Sequence, residues 1–137
     1  MSLMEVYIPS NKTKKFIELA GNVANQSEYP QFKHGAVLVK ASSVINTAFN
    51  KNGYCSFGAR FYEGNSANAT LHAELASILN IERENTENST VYTVRVNNAG
   101  EYRLSKPCRM CERAMRFCGV KRVVYSTNDG FEEMRLK

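Results

Sequence analysis

Two short stretches of this chain could do chemistry together. Leu71-His72-Ala73-Glu74 reads H-x-E, and Pro107-Cys108-Arg109-Met110-Cys111 reads P-C-x-x-C. Zinc takes thiolate and imidazole ligands, and a catalytic site holds three protein ligands and keeps one position for water. His72, Cys108 and Cys111 supply three such ligands, and Glu74 adds a carboxylate free to move protons. Two thiolates, one imidazole and Zn2+ sum to no net charge, so a proton acceptor beside the metal is useful for activating water. The competing reading is a closed structural zinc site with a fourth thiolate from Cys55 or Cys118. Cys118 lies seven residues beyond Cys111, about 10 Å along a helix and too far to share the ion. Cys55 stays open on spacing alone. A structural site has no use for Glu74, so the catalytic reading is preferred.

These residues need helices to hold them. Cys108 and Cys111 are three apart and share one face of a helix predicted from about Pro107 to Cys118, with Pro107 in its first turn and Gly119 as its stop. Unpaired N–H groups and the dipole at a helix start favour thiolates there. His72 and Glu74 are two apart, roughly 200° around a helix axis, so they can meet at one metal only if His72 stands at the very start of its helix. Thr70 is then the expected N-cap, and Leu71, Leu75, Ile78 and Leu79 form the apolar face of that helix. Two helix N-termini should frame the site.

The rest of the chain supplies a sheet. Ser10 is placed to cap a first helix carrying Phe16, Ile17, Ala20, Val23 and Ala24, broken by Tyr29-Pro30-Gln31. Gly35–Val39 and Val44–Phe49 read as two strands of a β-hairpin joined tightly through Lys40–Ser43. Lys51–Thr70 has no clear periodicity, and its aromatics Tyr54, Phe57, Phe61 and Tyr62 suit either a substrate-covering loop or a surface loop anchored by them. The polar run Glu82–Ser89 ends the second helix. Thr90–Val96 is a third strand, Asn97–Gly100 a turn, Val120–Ser126 a fourth strand, and Phe131–Leu136 a short edge strand. A hairpin followed by strands alternating with helices implies an α/β layer fold with parallel pairing in its second half. The site then sits beyond the carboxyl ends of the strands.

With 137 residues, 43% of them hydrophobic and 23% charged, the chain suits a single domain spanning residues 1–137. It has no apolar run long enough for a membrane span, and Met1–Lys12 lack the pattern of a signal peptide. Four cysteines, two at metal spacing, argue for a reducing, cytoplasmic setting rather than a disulfide framework. The net charge of +5 mildly favours anionic substrates. Arg103, Lys106, Arg109, Arg113, Arg116, Lys121 and Arg122 crowd the second motif, and a solvated helix face is preferred there over a nucleic-acid surface. His34, opening the first strand, is read as structural rather than substrate-facing.

The paired motifs, from about Gly35 to Tyr125, resemble the cytidine and deoxycytidylate deaminase superfamily, which includes tRNA adenosine deaminases. The resemblance implies a three-layer α/β/α sandwich around a mixed, five-stranded sheet. It implies His72, Cys108 and Cys111 as zinc ligands, Glu74 as proton shuttle, and Asn50 and Ala73 at the substrate. It also implies a homodimer or larger assembly. Some features point different ways within the superfamily. Ser105-Lys106 stands where tRNA adenosine deaminases typically show Leu-Glu and deoxycytidylate deaminases often His. Pro-Cys-Arg-Met-Cys looks more like the tRNA type, and a long C-terminal helix is missing. The expected activity is zinc-dependent hydrolytic deamination of a cytosine nucleoside or nucleotide. The alternatives are a base within tRNA or single-stranded nucleic acid, a free purine, or a non-catalytic zinc-stabilised module. Tyr102 and Phe117 are the nearest aromatics to the basic residues, and the others lie in the loop before His72. That distribution favours a small, enclosed substrate, with Lys106 or Arg109 meeting a single phosphate.

Overall fold

The computed structural model of the chain describes residues 7–27, 29, 32–54, 56–61 and 70–137. The Ser10 side chain accepts the Thr13 N–H at 3.2 Å and so starts α1 (Asn11–Ala24), whose buried stripe includes Ile17, Ala20, Val23 and Ala24. After it come β1 (Lys33–Lys40), β2 (Ser43–Phe49), β3 (Lys51–Tyr54), α2 (Ser56–Ala59), β4 (Thr70–Leu71), α3 (Ala73–Ile78) and α4 (Arg83–Thr86). The second half adds β5 (Thr90–Val96), β6 (Tyr102–Arg103), α5 (Arg109–Phe117), β7 (Arg122–Ser126) and β8 (Phe131–Arg135).

The main sheet runs β2-β1-β5-β7-β8, with β6 also paired to β5. The β5–β7 pair is parallel, and the other pairs of this sheet are antiparallel. Helix α5 lies between β5 and β7 in the chain, as a parallel crossover requires. The tail forms the expected edge strand, β8. Ala41 and Ser42 join β1 to β2 with φ of 49° and 70°, the primed two-residue turn whose twist matches a hairpin.

Strand alternation separates two apolar layers. On one face Val37, Val39, Tyr92, Val94 and Val124 pack with Ile17, Ala20 and Ala24 of α1. On the other, Ala36, Leu38, Val91 and Val123 pack with Leu75 and Ile78 of α3 and Met110, Ala114 and Met115 of α5. The result is a three-layer α/β/α sandwich around a mixed sheet. No helix among the described residues is long and apolar enough to cross a membrane.

Several boundaries differ from the sequence reading. Thr70 does not cap α3, because it pairs with Tyr54 in the small β3–β4 sheet, and His72 takes the N-cap position. Leu71 belongs to that sheet too, which leaves α3 six residues long. Pro107 stands outside α5, with Cys108 as N-cap. The polar run after α3 folds its middle into α4, with Thr86 buried. The expected aperiodic stretch after Lys51 is ordered at both ends by β3, α2 and β4, while Cys55 and residues 62–69 lie outside the described residues, as do Pro30 and Gln31.

The closeness of α1 to the sheet depends on Gly35. A Cβ there would lie 2.1 Å from the Ala20 carbonyl oxygen and 2.5 Å from the Ala24 nitrogen, both backbone atoms. We expect Gly35→Ala to destabilise the fold by about 3 kcal/mol or more, since the clash is with backbone and not with a flexible side chain. Urea denaturation measures this; a loss below about 1 kcal/mol would mean α1 shifts freely on the sheet.

Candidate active site

Three donor side chains converge where α3 and α5 begin. His72 and Cys108 are the N-cap residues of the two helices, both with extended backbone, and neither side chain caps its own helix. Their side chains are therefore free to turn toward each other. Cys111 follows one turn into α5, fully buried. The His72 Nδ1 lies 3.2 Å from Cys111 Sγ and 3.7 Å from Cys108 Sγ, and all three donor atoms fall within 4.8 Å of one another. A tetrahedral zinc at ordinary bond lengths spaces its sulfur and nitrogen donors about 3.6 Å apart, so this donor set fits the ion.

The electrostatics fit as well. Cys108 is pulled down to about 4, first by a hydrogen bond with the Cys111 thiol and then, against burial, by His72. Cys111 is pushed well up by the bond it makes to Cys108 and by burial. The hydrogen bond to Cys108 raises the His72 imidazole in turn. The metal-free centre thus favours the thiolate at Cys108 over Cys111, and a divalent ion, which takes thiolates and neutral imidazole, would bind with release of protons.

Glu74 stands in the first turn of α3, only 5% exposed. Burial pushes its carboxyl above the ordinary carboxylate range, with the charge of His72 opposing. The position two residues after His72, which would place a mid-helix pair on opposite sides, works here because His72 is outside the helix.

The centre opens into a cavity of about 400 Å³. Among the described residues, His72, Ala73, Glu74 and Cys108 line it on the donor side, together with Asn50, Lys51, Lys106, Ser105, His34, Phe32 and Tyr29. Both residues expected at the substrate, Asn50 and Ala73, therefore line it. The Asn50 amide is heavily engaged, its Oδ1 accepting from the His34 N–H at 3.0 Å and from the Ser27 hydroxyl, its Nδ2 donating to the Phe32 carbonyl at 2.8 Å. Ser105 anchors the approach to the cysteine motif. Its Oγ donates to the Thr93 carbonyl and accepts the Ser126 N–H, both at 2.9 Å, while its own N–H reaches the Ser126 carbonyl at 2.9 Å.

His34, read from sequence as structural, lines the cavity wall. Tyr29, Phe32 and Lys51 were missed by sequence reasoning. A signal existed: β1 is antiparallel to β5, so the start of β1 lies beside the carboxyl end of β5, where the site was expected. Three of the seven basic residues near the second motif are paired with carboxylates. Arg103 pairs with Glu101 at 3.4 Å, Arg116 with Glu112 at 3.0 Å and Arg122 with Glu133 at 3.2 Å. Of the seven, Lys106 is the one found among the described lining of the cavity.

The family model for the cytidine and deoxycytidylate deaminase zinc-binding region matches residues 10–127. The chain belongs to this family. Deaminases are hydrolytic enzymes, and the family places the present chain among them. It is 30% identical over 125 residues to the deoxycytidylate deaminase of Mycobacterium phage D29, covering 80% of this chain and 90% of the relative. Among solved structures, the dCMP deaminase of cyanophage S-TIM5 in apo form superposes with a TM-score of 0.59 at 22% identity, covering 87% of this chain and 84% of that one. A cytidine deaminase from Burkholderia pseudomallei gives 0.60 at 18% identity, covering 90% and 91%. At these identities the two structures speak for the shared fold.

Proposed function

We propose that the chain is a zinc-dependent deaminase that converts a cytosine nucleoside or mononucleotide to the uracil compound, with deoxycytidylate the favoured substrate. The observation that carries this reading is the buried Glu74 carboxyl beside the His72, Cys108 and Cys111 donors, in the wall of a cavity. The similarity to a phage deoxycytidylate deaminase supports the nucleotide over the free nucleoside.

His72, Cys108 and Cys111 would hold the metal. Zn2+ bound there supplies the Lewis acidity that makes water a nucleophile at neutral pH. Glu74 accepts the proton that water loses on attacking C4 of the base and passes it to ring N3. It then carries the proton of the new C4 hydroxyl to the amino group, so that the C4–N bond breaks, ammonia leaves and the C4 carbonyl forms. Burial raises the Glu74 carboxyl above its usual range, so it holds a proton more readily than a solvated carboxylate does, which suits a group that must take one up and hand it on. Asn50 and Ala73 bound the substrate along the wall. The cavity size suits one small ligand rather than a strand. Following the resemblance, we further infer a cytoplasmic homodimer or larger assembly, which light scattering of the purified protein tests.

Ammonia release from cytidine, deoxycytidine, their monophosphates and a cytosine within an RNA hairpin tests the substrate. We expect turnover of the small compounds with a shallow salt dependence. Activity confined to the hairpin, with affinity falling steeply as salt rises, would move the assignment to a nucleic-acid deaminase.

A further inference from the structure

His34 is a cavity-lining group that the deamination steps leave unused. Strand β1 alternates its side chains, and Ala36 and Leu38 lie in the layer under α3 and α5. His34 shares their face, but at the open end of the sheet where those helices begin, and it meets the cavity with His72 and Glu74. Among the described residues its ring nitrogens make no hydrogen bond, whereas a histidine kept for structure ordinarily spends them on protein partners.

The backbone around it is held firmly. Its N–H donates to Asn50 Oδ1 at 3.0 Å, and its carbonyl accepts the Asn50 N–H at 3.3 Å. Opposite it in register on β5 stands Arg95, whose guanidinium covers the Phe32 ring at 4.5 Å. Arg95 Nε is buried and without a hydrogen-bond partner among the described residues. The imidazole is thus backed by a cation and a ring, and faces the cavity. We propose that His34 is a specificity-determining residue of the deamination cavity, its imidazole exchanging a hydrogen bond with a neutral oxygen of the bound nucleoside or nucleotide. The inference rests on the deaminase reading for its choice of ligand.

Burial, with Arg95 and His72 adding to it, holds the His34 imidazole down to about 4. The ring is therefore neutral near pH 7 and offers one donor and one acceptor. That chemistry suits an uncharged oxygen, and two are available on such a ligand: the 2-carbonyl of the base and a hydroxyl of the sugar. A site built to bond such an oxygen rejects analogues that lack it, because its own polar atom is then left unpaired.

The test compares wild type with His34→Val and His34→Asn, measuring turnover and equilibrium binding of cytidine, deoxycytidine, 2′,3′-dideoxycytidine and deoxycytidine monophosphate. Zinc content and melting temperature are followed in parallel. His34→Val should raise KM about tenfold to a hundredfold with little change in kcat, while zinc content and melting temperature stay near wild type. His34→Asn, which keeps a donor and an acceptor, should recover part of that loss. A loss that persists on both 2′,3′-dideoxycytidine and deoxycytidine monophosphate identifies the base carbonyl, one that vanishes on the dideoxy compound identifies a 2′- or 3′-hydroxyl, and one that vanishes only on the monophosphate identifies the 5′-hydroxyl. Wild-type KM and affinity in His34→Val overturn the inference. So does a loss that follows the melting temperature and that His34→Asn does not relieve. If wild type turns over none of these compounds, the deaminase reading has failed. Nucleoside affinity weakened by His34→Val would still support the imidazole contact, and affinity left unchanged would remove it.

Discussion

Glu74→Gln should keep the fold and its zinc while turnover falls by about a hundredfold or more, the loss expected when a positioned general acid and base is removed. Glutamine preserves the shape of the side chain in its buried niche but neither accepts nor delivers a proton. Metal analysis and a single-turnover assay on the same preparation separate this from loss of a ligand. Near-normal turnover would make Glu74 a bystander. The same variant carries a stability signature. In the metal-free protein, burial raises the Glu74 pKa above the unfolded value of 4.5. Folding therefore favours the protonated carboxyl. Its contribution is fully present below the unfolded value and is lost as pH rises through the folded one. Glutamine has no such loss. Denaturation of chelator-treated protein from about pH 4 to about pH 8 should show the variant gaining on wild type as pH climbs. A constant gap would mean that the carboxyl is better solvated than its 5% exposure implies.

Cys108→Ser and Cys111→Ser should each lose zinc and all measurable turnover. Each removes one of the three donors that cluster among the described residues, so affinity should drop by more than the roughly hundredfold seen for outer-shell partners. Cys118→Ser serves as the contrast. Cys118 is the C-cap of α5, at the far end of the helix from the donor cluster. It should retain the full metal content. Zinc kept in Cys108→Ser and Cys111→Ser but lost in Cys118→Ser would overturn the ligand assignment. Cys111→Ser should also lower metal-free stability more than Cys108→Ser, since Cys111 is buried in the core layer beside Leu75 and Met115 and Cys108 is exposed.

Much of this arrangement was legible from spacing. The geometry of an H-x-E pair required His72 to precede its helix, and it does. The hairpin, the parallel β5–β7 pair and the edge strand followed from apolar patterning, because burial on one or both faces imposes it. Thr70 misled because a polar β-branched residue suits a cap and a strand equally, and only the distant partner Tyr54 decides between them. His34 is a related case. Its neighbours in sequence mark a strand, but whether that strand's first residue faces a cavity depends on β5, which is some sixty residues further along the chain and supplies Arg95 opposite it. Tertiary pairing of that range leaves no local trace.

Ser105 has a consequence for how the chain can vary. It closes the excursion from Asn97 to Leu104 by bonding both to Thr93 in the middle of β5 and to Ser126 on β7. The cysteine motif therefore starts from a point tied to the sheet, whatever the excursion does. Its tip, Asn98 to Glu101, is exposed, and Gly100, at a φ of 80° that favours glycine, is the one position there whose backbone restricts the side chain. The segment is a place where length and composition can drift between relatives while the two cysteines stay in register. Its sequence should thus be a poor guide to activity and a convenient seat for an inserted label.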